Sequence, residues 1–278
     1  MIQNYLKTNS VQKALSVLLA FDDIHPMWGV RELSGHLGYS PATVQRLLKI
    51  LKDHGFIDQD ATTRQYRLGS VYYRFLHTLQ THNPLRHSLL PYLRKLHALT
   101  QETVHFNIID RIERLCIESF ESFQHLKASM PVGNRSPLYA GASSKCLLAF
   151  SVPEFVDRYL NQVDPVSLTT HTVTNVLKLR TELEEIRRLG YASSLGERME
   201  GLGSLSAPIL DHNSVLVGAL SLALPEIRFR DHGHREFCLR NLLSVTRECS
   251  RQLGYQKSIS HTSEAILREP AENSQIAS

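Results

Sequence analysis

Long apolar runs are missing from this 278-residue chain. A membrane-spanning helix needs roughly 18–20 apolar residues in a row. The longest candidate, Val215–Leu224, follows the polar triplet Asp211-His212-Asn213 and stops at Pro225. A secretory leader is not expected either, since Val17–Phe21 is too short for its apolar core and runs into Asp22-Asp23. A cytoplasmic protein without membrane attachment is expected. Cysteine is scarce: Cys116, Cys146, Cys238 and Cys249 lie far apart and form no CxxC pair. That excludes a zinc ribbon and a disulfide framework and predicts four buried free thiols. The enzyme signatures GxSxG, HExxH, GxxxxGK[ST] and GxGxxG are all absent. The histidines offer no ligand set: His232 and His234 are two apart, and His25, His36 and His54 are dispersed. No metal and no cofactor are expected.

What is present is an ordinary globular composition, 42% hydrophobic and 21% charged. The length predicts about two domains. The net charge of +4 is uneven: residues 1–84 carry nine Lys/Arg against six Asp/Glu, and the remainder is nearly neutral. A basic first third permits nucleic-acid binding without demonstrating it.

Residues 10–69 read as three short helices and a hairpin. In the first helix Val11, Ala14, Leu15, Leu18 and Leu19 recur at helical spacing, with Ser10 as the expected cap. A loop over Asp22–Gly29 leads to a helix over Val30–Leu37, ended by Gly38. Ser40 caps the third helix and Pro41 occupies its first turn, where a missing N–H costs nothing. Val44, Leu47, Leu48 and Leu51 point inward. The hairpin pairs 56–59 with 65–68. Tyr72, Phe75, Leu76 and Leu79 predict a linker helix over 70–84 that contributes to a dimer seam. Residues 85–255 alternate strands (Val104–Asp110, Arg114–Phe120, Ser204–Leu210, Val215–Leu224) with helices near 85–96, 144–150, 153–160, 175–189 and 232–255. That pattern predicts an α+β domain with a mainly antiparallel sheet. The tail over 256–278, poor in large apolar residues, is expected to be disordered.

A recognition helix that enters the major groove reads base edges with its outward N-terminal residues. Here those are Ala42, Thr43, Gln45 and Arg46, beside Ser40 and Lys49. Gln pairs bidentately with adenine, Arg with guanine, and the Thr methyl meets the thymine methyl. Arg64 and Arg67 in the hairpin suit phosphates or the minor groove, and Lys13 and Arg31 suit phosphates. The competing reading is a protein-docking winged helix with ordinary solvated charges.

The runs SVQKALSVLLAF, RELSGHLGYSPATVQRLLKILKDHGFI and YRLGS resemble the DNA-binding domain of the IclR family of bacterial transcription regulators. SPLYAGASSKCLLAF resembles that family's Pro-Leu-His-Ala loop and Gly-Lys-Ala helix, and GLGSLSAPILDHNSVLVGALSLALP its two pocket strands. The resemblance covers about residues 10–255. It implies a winged helix-turn-helix (10–69), a linker helix (70–84) and a GAF/profilin-like effector-binding and oligomerisation domain (85–255). It also implies a homodimer or dimer of dimers on palindromic double-stranded operator DNA, answering a small organic effector such as a carboxylate or aromatic acid. Carried over by position, the backbone amides of Ala140, Gly141, Ala142 and Ser143 hold the effector, with Glu197, Ser204, Ser206 and Ser221 around it. A helix N-terminus is a ready carboxylate site, and residues 204 and 206 share one face of a strand. This chain departs from the family at Tyr139 (for His), Ser144 (for Gly), Ser204 (for Cys) and Ala223 (for Ser).

Two rival classes stand beside the regulator. One is a ligand sensor that acts through protein contacts alone. The other is a hydrolase-like enzyme using Cys146, because a neighbouring cation such as Lys145 can lower a thiol pKa. Adjacent helical residues point in different directions, so a packed, inert Cys146 is expected.

Overall fold

The computed structural model describes residues 9–22, 24–82 and 84–256. The chain forms two compact units, divided between Arg86 and His87. Among the described residues no helix is long and apolar enough to cross a membrane.

The first unit runs α1 (Ser10–Leu19), β1 (Met27–Trp28), α2 (Val30–Leu37), α3 (Pro41–Asp53), β2 (Ile57–Gln59), β3 (Tyr66–Leu68) and α4 (Val71–Thr81). Asn9, not Ser10, caps α1. Its side chain accepts from the Gln12 N–H at 2.8 Å while Gln12 Oε1 accepts from the Asn9 N–H at 3.0 Å, a reciprocal pair that outcompetes a lone serine. Gly38 ends α2 in the left-handed region, φ +68°. The loop expected over Asp22–Gly29 contains a strand, because Met27 and Trp28 pair antiparallel with Arg67 and Tyr66. The small sheet is ordered β1-β3-β2. Val17, Trp28, Leu33, Val44, Leu48, Ile57 and Tyr66 form the core beneath it.

The second unit has a six-stranded antiparallel sheet ordered β6-β5-β4-β9-β8-β7. Its strands are β4 (Thr103–Asp110), β5 (Glu113–Phe120), β6 (Arg135–Pro137), β7 (Ala192–Leu195), β8 (Leu202–Leu210) and β9 (Leu216–Pro225). Helices α5 (Pro84–Thr100), α6 (Ala142–Phe150), α7 (Pro153–Gln162), α8 (Val176–Leu189), α9 (Glu226–Arg230) and α10 (His232–Gln252) complete it. Two edge strands, β6 and β7, and the short α9 lie where no element was expected. The expected tail over 256–278 lies outside the described residues, apart from Gln256. Alternation along β8 separates two faces. Ser204 and Ser206 face α6, which packs on β7, β8 and β9 and against α8, while Leu205 faces the α10 side. The α6 side holds a core of Leu138, Ala142, Cys146, Leu147, Leu179, Leu183 and Ala219.

Candidate functional site

On the first unit the candidate surface is the outer face of α3. Ser40 Oγ accepts from the Thr43 N–H at 3.3 Å and meets Thr43 Oγ1 at 2.9 Å, so both hydroxyls hold the helix start. Thr43 is half-buried. Ala42, Gln45, Arg46 and Lys49 are exposed, spaced i, i+3, i+4 and i+7 along one face. Gln45, Arg46 and Lys49 make no polar contact with the described protein. Arg31 is exposed on α2, and Lys13 Nζ lies 5.6 Å from the Tyr39 ring centre. In the hairpin Arg64 is exposed at φ +61°. Its turn is built on Asp60, whose carboxylate accepts the Thr62 and Thr63 N–H groups at 2.9 and 2.7 Å and is thereby held below the usual carboxylate range. Arg67 is registered between Met27 and Asp58, so Asp58 offsets part of its charge. The packing of His25 (stacked, 4.8 Å) and His36 (tilted, 5.0 Å) on the Trp28 ring had no counterpart in the sequence reading because it depends on β1.

On the second unit the candidate site is a narrow cleft at the N-terminus of α6. Gly141 takes φ +89°, a conformation strained for any other residue, and starts the helix two residues before the expected Ser144. The cleft is lined by Met130, Gly141, Ser143, Ser144, Arg198 and Ser204, among others, and in this structure admits little more than one water. A roomier groove of about 360 Å³ lies on the opposite sheet face by Tyr191, Leu205 and Arg235, but it is an open surface feature that gathers no buried, uncompensated charge. The α6 cleft is where the chemistry converges.

The helix start is partly occupied by the protein itself. Gly141 N–H donates to Glu197 Oε2 at 2.9 Å, and Ala142 N–H donates to Ser194 Oγ at 2.9 Å. Lys145 Nζ, buried, donates to Glu197 Oε1 at 2.5 Å and to Glu182 Oε2 at 3.0 Å. Glu197 therefore stands where a ligand carboxylate was expected at Gly141. The amides of Ala140, Ser143 and Ser144 have no protein acceptor among the described residues. Ser204 lines the cleft. Ser206 and Ser221 do not: both are fully buried and hydrogen-bonded to each other at 2.8 Å.

Those two serines belong to a buried polar stripe across the α6 face of the sheet, which the sequence did not announce. Asn107 Nδ2 donates to Ser221 Oγ at 3.3 Å and faces His105 Nδ1 at 2.9 Å. Arg114 Nη1 donates to Asn107 Oδ1 at 2.8 Å, and Arg114 Nε donates to Ser136 Oγ at 2.7 Å. Ser136 Oγ meets Ser144 Oγ at 3.2 Å, which ties the stripe to the helix start. Burial, and then the charge of Arg198, pull the Arg114 guanidinium down to about 10. Burial lowers Arg198 too.

His105 is fully buried, and its Nε2 has no partner. Burial first, then the nearby Arg114 charge, push its pKa from 6.5 down to about 3. The unfolded chain takes up this proton below about pH 6.5 and the folded chain does not until about pH 3. The contribution to stability is complete above pH 6.5 and is lost as the pH falls through that window, by at most about 1.4 kcal/mol per pH unit. Urea titrations from pH 7 to pH 4 are expected to show this slope, and His105→Gln to flatten it; an unchanged slope contradicts the assignment.

The cysteines are placed against catalysis. Cys146 is fully buried, and burial raises its thiol to about 12, while Lys145 is spent on two carboxylates. Cys238 Sγ lies 3.5 Å from His234 Nε2, but that same nitrogen faces Glu102 Oε1 at 2.9 Å. A relay needs the two ring nitrogens to serve different partners, and burial holds this thiol too at about 12. Among the described residues no cluster of three metal-ligating side chains occurs.

Comparison with known proteins places these features. The model of the IclR helix-turn-helix domain matches residues 10–61, and that of the bacterial transcriptional regulator IclR C-terminal domain matches residues 77–255. The HTH-type transcriptional regulator KdgR of Dickeya chrysanthemi is 31% identical over 248 residues, covering 89% of this chain and 80% of that protein. The crystal structure of Thermotoga maritima IclR is 27% identical with a TM-score of 0.72, over 89% of this chain and 99% of that one. An IclR homologue from Microbacterium hydrocarbonoxydans, complexed with 4-hydroxybenzoate, shares the fold at 20% identity and a TM-score of 0.73, over 88% of this chain and all of that one. With both units matched in order, the chain belongs to the IclR family of bacterial transcriptional regulators.

Proposed function

We propose that the chain is a cytoplasmic, non-catalytic regulator that binds a two-fold operator as a homodimer or dimer of dimers and responds to a small organic acid. Residues 10–69 read DNA, 70–84 link, and 85–255 sense the acid and oligomerise. The observation that carries the DNA reading is the outer face of α3, where Gln45, Arg46 and Lys49 stand on a capped helix with no protein partner. Such side chains are free to meet bases and phosphates. Ala42 and the Thr43 methyl lie beside them, while Lys13, Arg31, Arg64 and Arg67 supply positive charge for the DNA backbone. Ser40 takes part indirectly, by holding the helix start.

The acid reading rests on the free amides of Ser143 and Ser144 at a helix N-terminus, next to Ser204 Oγ. The ligand of the Microbacterium relative is likewise a small carboxylate. Gly141, Ala142 and Glu197 shape this site rather than meet the acid, and Ser206 and Ser221 support it from beneath. The cysteine placements argue for a protein without catalysis.

The test is binding to a panel of operator variants. If Arg46 reads a guanine, Arg46→Ala costs about 1–3 kcal/mol and relaxes discrimination at one base pair. Uniform weakening across all sequences instead makes Arg46 a phosphate contact, and unchanged binding removes α3 as the reading helix.

A further inference from the structure

Arg198 in the cleft wall and Arg114 buried beneath it bring two positive charges to the site without a counter-charge. Both guanidiniums converge on one neutral acceptor: Arg114 Nη2 and Arg198 Nη1 donate to Asn134 Oδ1 at 2.6 and 3.1 Å. Both also reach Met130 Sδ, at 3.5 and 3.8 Å, and Met130 lines the cleft. The other Arg114 bonds go to Asn107 and Ser136, again neutral. Arg114 is 1% exposed. Among the described residues neither guanidinium has a carboxylate within 4 Å.

Other cations drawn into this unit are treated differently. Lys145 is matched by Glu197 and Glu182, and Arg228 by Glu102. Lys145 has two carboxylates for one charge, of which Glu182 is partly exposed to water, and the pair with no carboxylate in contact is Arg114 and Arg198. Two like charges sharing one acceptor oxygen repel each other, and a buried cation without a counter-ion is costly to keep. A monocarboxylate removes half of that excess. An acid with two carboxylates removes all of it, and the free amides of Ser143 and Ser144 add a further favourable pole. The cleft admits little more than one water as it stands, so it must open to take even a short acid.

We propose that Arg114 and Arg198 are the charge anchors of the cleft and that its effector is a short dicarboxylic acid. The proposal rests on the reading of the α6 cleft as an effector site. Arg198, half-buried on the wall, meets the ligand, and Arg114 lies beneath it, joined through Ser136 to the helix start.

The test uses the full chain in thermal melts and calorimetric titrations at matched ionic strength, with succinate and glutarate against butyrate. The dicarboxylates are expected to raise the melting temperature by several degrees at millimolar concentration, as mass action requires, and to bind at least 10-fold tighter than butyrate. Arg198→Gln is expected to lower succinate affinity at least 10-fold. In the absence of any acid it should raise the melting temperature, because one of two repelling charges is gone. Equal affinity for succinate and butyrate, or unchanged succinate affinity in Arg198→Gln, overturns the dicarboxylate proposal and leaves the carboxylate cleft standing. If none of the three acids shifts the melt, the reading of the cleft as a carboxylate site fails, and this proposal with it.

Discussion

Lys145→Met is expected to destabilise the second unit by about 3 kcal/mol, because removing one partner of a buried ion cluster strands the other. The methionine keeps most of the apolar stem, so the loss is electrostatic rather than a cavity. The stranded group is Glu197, whose side chain is 11% exposed; Glu182, at 30%, can turn toward water. Glu197 then holds only the Gly141 N–H, in a cleft too narrow to hydrate it fully. The second half of the experiment is the double variant. Glu197→Gln keeps an acceptor for Gly141 and removes the stranded charge, so Lys145→Met with Glu197→Gln should recover most of the loss. Urea unfolding of the four chains gives the coupling directly. A single-variant cost below about 1 kcal/mol, the level of an exposed pair, contradicts the buried placement.

Leu48→Ala should have an effect of similar size on the other unit, about 2–5 kcal/mol from lost transfer energy and the cavity left behind. Leu48 is fully buried on the inner face of α3, among Val17, Leu33, Val44 and Ile57. A unit of some 80 residues has about 4–12 kcal/mol of stability at the usual value per residue, so this one change consumes a large share. DNA binding at 37 °C should fall sharply, while acid binding by the second unit persists. Two-step melting, with only the first step displaced, is the expected record. A single transition that moves as a whole contradicts the division into two independently built units.

Much of this fold was legible in the sequence, and the reasons differ by element. Ser40-Pro41 and Gly38 announce helix ends because cap chemistry is local, and the apolar spacing along α3 names the residues that proved buried. Strands β1, β6 and β7 were not legible. They are two to four residues long and exist because a neighbouring strand offers an unpaired edge, which is a tertiary fact. The start of α6 was misplaced because it depends on Gly141 at φ +89°, where the flanking alanines give no signal.

The cleft was half legible. The three serines lie on adjoining strands as expected, but only depth in the fold separates Ser204, on the cleft wall, from Ser206 and Ser221, sealed beneath it. The four residues of the row 140–143 all line the cleft. Two of its four members are already used, by Glu197 and Ser194, through contacts more than 50 residues apart in sequence. Arg114 and Arg198 read as ordinary surface charge until the fold shows that no acid accompanies them. Their partners come from β4, from β6 and from the segment before it.

The most direct measurement of the central claim is the affinity of the full chain for DNA upstream of its own gene, taken across a salt series. Neutralised phosphates release counterions, so the logarithm of the affinity should fall linearly with the logarithm of salt, with a slope near −0.9 per contacted phosphate. Six to ten contacts are a reasonable number for a protein of this kind and correspond to a loss of roughly 10³–10⁵ between 50 and 200 mM salt. Tight binding at low salt with that steep decline is the predicted result. No binding at low salt to that DNA or to any neighbouring promoter would contradict the assignment of the α3 face as a DNA-reading surface.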